Sequence, residues 1–172
     1  VAYEALMRPQ LPTLRSPLTV MQLASEMGRL YDIEKLTFFR ACECYEELEA
    51  AGKLDADALI FVNSIASVSL SNEDWASYCE AHSAILPKLV VEITEEEEMN
   101  ERELERKRNV PGSSGVFALD DYGSGYSNGN SLLTIAPKYV KVDIAIIRGI
   151  DTDADKQQFL MTLIDYAHPR GV

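Results

Sequence analysis

The sequence predicts an α/β fold of parallel strands, because two patterns alternate along the chain. Short apolar segments are separated by longer segments in which apolar residues recur at helical spacing. A strand, a helix and a second strand in this order place the two strands parallel, with a right-handed crossover. An open doubly wound sheet and a closed barrel both fit this order. Polar residues at the strand ends favour the barrel, in which such residues meet at one mouth.

Each predicted strand is short and mostly apolar, as is typical of buried parallel strands. The predicted strands are Ala2–Leu6, Leu59–Val62, Leu89–Ile93, Val116–Leu119 and Tyr139–Val142. Amphipathic or capped segments predict the helices Leu18–Met27, Glu34–Ala51, Asn72–Leu86, Glu95–Arg108 and Thr152–Ala167. Ser71 is a suitable N-cap for the third helix, and Pro87 ends it. In the fourth helix acidic residues come first and basic residues last, which complements the helix dipole.

The composition restricts the class of partner. The 172 residues carry a net charge of −12, so the overall field repels a nucleic-acid polymer. A small anionic ligand can still bind where metal ions reverse the local sign. No apolar run is long enough for a membrane span. The three cysteines form no C-x-x-C pair, which predicts reduced thiols and a cytoplasmic location.

Hard oxygen ligands and one lysine lie at or near the C-terminal ends of the predicted strands. In strand order these residues are Glu4, Asn63, Glu92, the pair Asp120 and Asp121, and Lys141 with Asp143. Neighbouring members of the series are often about 30 residues apart, which is the length of one strand–helix unit. Any one of them alone is more simply explained as a surface or capping residue. The repeated spacing favours one shared site at the mouth of a barrel.

A carboxylate inside an apolar strand is costly to bury, and several together repel one another. Divalent cations remove both penalties, and oxygen ligands suit Mg²⁺, Mn²⁺ or Ca²⁺. The adjacent Asp120 and Asp121 diverge in direction and can reach two different ions. A pair of ions can activate a water and stabilise the leaving oxygen of a phosphodiester. Lys141 adds a positive charge near the water and the phosphate.

These residues stand in motifs that resemble the EAL-domain family of cyclic-di-GMP phosphodiesterases. Five motifs occur in order: Tyr3-Glu4-Ala5-Leu6-Met7-Arg8, Phe61-Val62-Asn63-Ser64, Val91-Glu92-Ile93-Thr94-Glu95, Ala118-Leu119-Asp120-Asp121-Tyr122-Gly123-Ser124-Gly125-Tyr126-Ser127 and Pro137-Lys138-Tyr139-Val140-Lys141-Val142-Asp143. The resemblance implies a TIM-type (β/α) barrel that hydrolyses cyclic-di-GMP to linear pGpG in bacterial second-messenger signalling. The activity is expected of the parent protein. The alternative is a catalytically inactive module that binds cyclic-di-GMP or a partner, or an inactive fragment of the enzyme.

The resemblance also implies a role for each matching residue. The ligands of a first metal would be Glu4, Asn63, Glu92 and Asp120. A second metal would be held by Asp121 and Asp143, with Glu92 shared. Lys141 resembles the lysine that contacts the attacking water, and with Glu92 and Asp121 it makes up the expected catalytic set. Mg²⁺ or Mn²⁺ would be the cofactor, as two ions, with Ca²⁺ as an inhibitor.

Arg8 resembles a contact to the substrate phosphate, and Leu6 lies beside it in the same motif. Glu95 resembles the carboxylate that anchors the loop 121–127, which the family links to metal binding and dimer contacts. Tyr122 and Ser124 stand where the family more often has Phe and Thr. Because the family links this loop to dimer contacts, the resemblance also implies a homodimer.

The resemblance covers residues 1–172 as a partial EAL domain with about five of eight strands. The antiparallel first strand of the family, and the last two strands with a catalytic Glu and a Gln, are expected to lie outside this sequence. Sensory or diguanylate cyclase domains are expected elsewhere in the parent protein, which could be membrane-anchored through them.

Overall fold

The computed structural model describes residues 1–55, 57–94, 100–124 and 130–172, with the backbone alone for Asn130. In this part of the chain five parallel strands form one sheet in chain order. They are β1 Ala2–Ala5, β2 Leu59–Asn63, β3 Leu89–Thr94, β4 Val116–Tyr122 and β5 Tyr139–Val142. All five strands agree with the prediction to within three residues at each end.

Seven helices are described. They are α1 Pro17–Glu26, α2 Leu30–Ala50, α3 Asn72–Ala81, α4 Glu101–Arg108, α5 Asn130–Ile135, α6 Ile144–Ile147 and α7 Ala154–Ala167. The prediction did not include α5 and α6, because helices of four to six residues are too short to show a period. It also made the third helix too long: the helix ends at Ala81, and a 3₁₀ turn at Leu86–Lys88 holds Pro87. The predicted start of the fourth helix at residues 95–98 lies outside the described residues, and α4 begins after its N-cap Asn100.

The sheet is curled. Phe61 of β2 and Tyr139 of β5 have ring centroids 5.2 Å apart, although β3 and β4 lie between their strands in the sheet. This contact is possible only if the sheet closes toward a barrel with both rings on its inner face. The predicted α/β barrel fold, present in part, is therefore confirmed.

The outer face of the sheet forms the hydrophobic core with the helices. Strand residues that alternate with the inward-facing ones, such as Val62, Val91 and Leu119, are buried in one cluster that also contains aromatic side chains of α2 and α3. Phe38 makes edge-on contacts with Trp75 and Tyr78 at centroid distances of 5.3 and 5.7 Å. The helices are thus fixed on one side of the strands, and the polar strand-end residues lie on the other.

None of the described helices is both long and apolar enough to cross a membrane.

Candidate functional site

The strands bring three acidic residues together on the inner face of the sheet, near the ends where the strands finish. We call this end the C-terminal rim, and the acidic cluster is Glu4 of β1, Glu92 of β3 and Asp120 of β4. One carboxylate oxygen from each lies within 4.8 Å of the others. Asn63, the last residue of β2, donates from Nδ2 to Glu4 Oε1 at 3.3 Å. The register explains this meeting, since Asn63 pairs with Glu92 and Thr94 pairs with Asp120 on the neighbouring strand.

Lys141 lies on β5, the edge strand opposite β1, and faces the acidic cluster. Its Nζ lies 2.8 Å from Glu92 Oε1, 2.8 Å from Asp120 Oδ2 and 3.2 Å from Glu4 Oε2. Burial alone lowers the pKa of Lys141, but Asp120 and Glu92 outweigh it and leave that pKa above its ordinary value. One ammonium group is therefore the shared counter-charge of three carboxylates.

Glu92 is the buried centre of the cluster. The residue is 1% exposed, and its Oε2 accepts no hydrogen bond from the described residues. Burial raises the pKa of Glu92 to about 7, even though the nearby Lys141 lowers it. A buried carboxylate oxygen that lacks a partner is unfavourable unless a further cation approaches it.

This raised pKa predicts how the stability of the metal-free protein changes with pH. The folded state holds a proton on Glu92 that the unfolded chain, with an ordinary pKa of 4.5, releases. The free energy of unfolding should therefore fall as pH rises from about 5 to about 8. The contribution of Glu92 is on the order of 3 kcal/mol. Urea denaturation with a chelator present measures it, and subtracting the Glu92→Gln profile isolates it from other acids. Parallel profiles would contradict the burial of an ionisable carboxylate at this position.

A β-bulge separates the two adjacent aspartates of β4. Leu119 pairs with Val140 and Tyr122 with Val142, so β4 has one extra residue between these pairs. Asp121 takes up this residue in a left-handed conformation with φ of 53°. Such a conformation is strained for a residue other than glycine, and bulges are frequent beside active sites. Nothing in the sequence pattern indicated the bulge, and it leaves Asp120 in the cluster and Asp121 exposed.

The segment after the bulge is packed against two helices. Tyr122 is buried and stacks on Phe159 of α7 with a centroid distance of 6.2 Å. Gly123 has φ of +95°, and a Cβ there would lie 2.9 Å from Ile146 Cγ1 of α6. Only glycine fits this close approach without a shift. The position of the aspartates therefore depends on α6 and α7 as well as on the sheet.

The residues present fit a divalent cation. They provide hard carboxylate oxygens at close range, including one buried oxygen that no described residue hydrogen-bonds. Such donors are the usual ligands of Mg²⁺ and Mn²⁺.

Comparison with known families decides what this arrangement belongs to. The EAL domain family matches the chain over residues 1–172. The chain belongs to the EAL domain family.

Named relatives carry the same domain. This EAL domain is 33% identical over 86 residues to the probable cyclic di-GMP phosphodiesterase PdeG of Escherichia coli K12. The match covers 49% of this chain and 17% of the relative, so the chain spans a small part of that protein.

Solved structures share the fold. The PaMucR phosphodiesterase in its c-di-GMP complex superposes with a TM-score of 0.77 at 22% identity, over 98% of this chain and 70% of that one. A standalone EAL protein from Vibrio cholerae O395, in its c-di-GMP-bound form, gives 0.75 at 21% identity over 99% and 71%. At these identities the similarity shows the fold alone.

The remaining predicted residues lie around the cluster of this EAL domain. Asp143 is half-buried, caps α6 through Ala145 N at 2.6 Å, and donates from its backbone to Tyr122 O at 3.0 Å. Leu6 and Arg8 are exposed and line, with Glu4, a groove of about 780 Å³ beside α2. Among the described residues, the acidic cluster is the group of three possible metal ligands within 4.8 Å of one another, and it does not include Asp121 or Asp143.

Glu95, the predicted loop anchor, lies outside the described residues, as do positions 125–127 of the loop.

Proposed function

We propose that the protein to which this EAL domain belongs is a metal-dependent phosphodiesterase that hydrolyses cyclic-di-GMP to linear pGpG. The observation that supports it best is the acidic cluster with Lys141 at the C-terminal rim, where barrel enzymes have their active sites. The phosphodiesterase and c-di-GMP names of the relatives agree with this substrate.

In the proposed reaction, water adds to one phosphorus of the cyclic dinucleotide and the bond from that phosphorus to the 3′ oxygen breaks. The 3′ oxygen takes up a proton, and the product is linear with a 5′ phosphate. Divalent cations bound at the rim would lower the pKa of the attacking water and neutralise charge on the phosphate.

The residues of this chain hold and orient the reactants. Glu4, Asn63, Glu92 and Asp120 would hold a first ion, and Asp121 and Asp143 a second. Lys141, already within 2.8 Å of two carboxylates, would turn its charge toward the water and the phosphate. Arg8 and Leu6 would contact the substrate from the groove beside Glu4.

Turnover is the direct test. Incubating the protein with cyclic-di-GMP and Mg²⁺ or Mn²⁺ should give pGpG, measured by chromatography. Replacing the ion with Ca²⁺ should suppress the product, because a larger ion with looser geometry misplaces the reacting groups. Asp120→Asn should abolish turnover, whereas Glu101→Gln, on the exposed surface of α4, should leave it unchanged.

Binding of cyclic-di-GMP without turnover would support a binding module in place of an enzyme. If the protein showed no binding and no turnover of cyclic-di-GMP, the substrate assignment would be refuted.

A further inference from the structure

A buried ion pair lies behind β2, on the side opposite the acidic cluster. Glu34 of α2 and Lys107 of α4 are each 1% exposed, and Lys107 Nζ contacts Glu34 Oε1. We call these two residues the buried pair. They are 73 positions apart in the chain and join two helices.

The buried pair binds the backbone and side chain of the two residues that follow β2. Ser64 Oγ donates to Glu34 Oε1 at 2.6 Å, and Ile65 N donates to Glu34 Oε2 at 2.8 Å. Lys107 Nζ donates to Ile65 O at 2.8 Å and also contacts Ser64 Oγ. The hydroxyl of Ser64 and both backbone groups of Ile65 are therefore fixed by two charged residues.

The residue before this segment is Asn63, which faces the acidic cluster. Side chains alternate along a strand, so Asn63 points to the inner face and Ser64 to the helices. Ser64 N donates to Glu92 O at 2.9 Å, which extends the pairing of β2 with β3 past the end of β2. Any shift of Ser64 moves the Asn63 amide relative to Glu4 and Glu92.

Stability alone does not explain a buried pair at this position. Two fully buried charges are often no more stabilising than apolar side chains of the same size, because both must be desolvated. What the charges provide here is directional: each oxygen of Glu34 and the ammonium of Lys107 has a fixed partner on residues 64 and 65. Packing by apolar residues does not define backbone position in this way.

We propose that Glu34 and Lys107 are positioning residues that hold Asn63 in place for cation binding at the C-terminal rim. The inference rests on the proposed function, because it assumes that the rim binds a divalent cation. Both act on the cluster through the Ser64–Ile65 segment.

The test is a double-mutant cycle on Mn²⁺ affinity, read from the EPR signal of free Mn²⁺. Glu34→Gln should weaken binding about 10- to 100-fold, as loss of outer-shell partners usually does. Asn63→Ala should weaken it as well. In the Asn63→Ala background, Glu34→Gln should have little further effect, because its action passes through the residue already removed.

Tyr45→Phe is the matched control for loss of stability. Tyr45 is a buried residue of α2 whose hydroxyl donates to Ala58 O at 2.7 Å, at the opposite end of β2. The variant should lower the melting temperature without changing Mn²⁺ affinity. If Glu34→Gln does not fold, Ser64→Ala removes the hydroxyl that contacts both Glu34 and Lys107 but leaves the buried pair intact, and it should also weaken Mn²⁺ binding.

Additive effects of Glu34→Gln and Asn63→Ala would overturn the inference, as would Mn²⁺ affinity in Glu34→Gln equal to that of the control. Failure of the proposed function looks different: Asn63→Ala and Glu92→Ala would then both leave Mn²⁺ affinity unchanged.

Discussion

Replacing Glu92 with glutamine should remove Mn²⁺ binding at the C-terminal rim while it makes the metal-free protein more stable. The two effects have one cause. The Glu92 carboxylate is buried, one of its oxygens accepts no hydrogen bond from the part of the chain that the structure describes, and its pKa is raised to about 7. Without a cation, a charge in this position destabilises the fold. A neutral amide of nearly the same shape relieves the penalty and loses the ligand.

Loss of residues that only support a metal ligand typically lowers affinity or activity by about 10- to 100-fold, so loss of a direct ligand should exceed roughly 100-fold in Mn²⁺ affinity and in kcat/KM. The gain in unfolding free energy without metal should be on the order of 3 kcal/mol at most near pH 8, and it should shrink to less than about 1 kcal/mol near pH 5, just above the unfolded pKa of 4.5. Titration with Mn²⁺ and urea denaturation measure the two quantities.

Glu101→Gln is the charge-matched control for this variant. It removes one negative charge from the exposed surface of α4 and should change neither quantity by much. A Glu92→Gln variant that kept wild-type Mn²⁺ affinity would remove Glu92 from the ligand set. A variant that lost stability at pH 8 would show that the carboxylate is better compensated than its surroundings indicate.

The strands were predictable from the sequence because buried parallel strands consist of short runs of apolar residues. β5 was predicted with its observed bounds. The position of Glu92 inside an apolar run already indicated a carboxylate that needs a nearby cation. Register then follows from the alternation of side chains, which is why the acidic residues could be expected on one face. The roles of the metal ligands came from the family resemblance, whereas the fold was predicted without that resemblance.

Other features depend on contacts between distant residues, which no local pattern contains. The run of basic residues at the end of α4 predicted only a favourable interaction with the helix dipole. The structure instead places Lys107 in the core against Glu34, 73 positions earlier. The bulge at Asp121 is another case, since two adjacent aspartates read as ordinary alternating strand residues. The segment after the bulge packs against α6 and α7, and this packing sets the left-handed conformation of Asp121.

Lys141→Met should destabilise the metal-free protein in a manner that a divalent cation reverses. The Lys141 ammonium is within 3.2 Å of all three carboxylates of the acidic cluster, so its removal leaves them facing one another without a counter-charge. Breaking a fully buried pair costs about 3–5 kcal/mol. The Lys141 side chain is 37% exposed, and solvent screening should reduce the loss to roughly 2 kcal/mol.

Two comparisons separate this charge effect from a simple loss of packing. The destabilisation should be larger near pH 8 than near pH 5, where Glu92 is protonated. Mn²⁺ should raise the melting temperature of Lys141→Met more than that of the wild type, because the ion then replaces the missing charge. Hydrolysis should nevertheless be lost, since the restored charge does not provide the ammonium expected beside the water. Lys138→Met, at an exposed lysine whose Nζ donates to Gly171 O, should show neither effect. Equal destabilisation at both pH values, with no recovery by Mn²⁺, would mean that Lys141 supports the fold through packing and is not the counter-charge of the cluster.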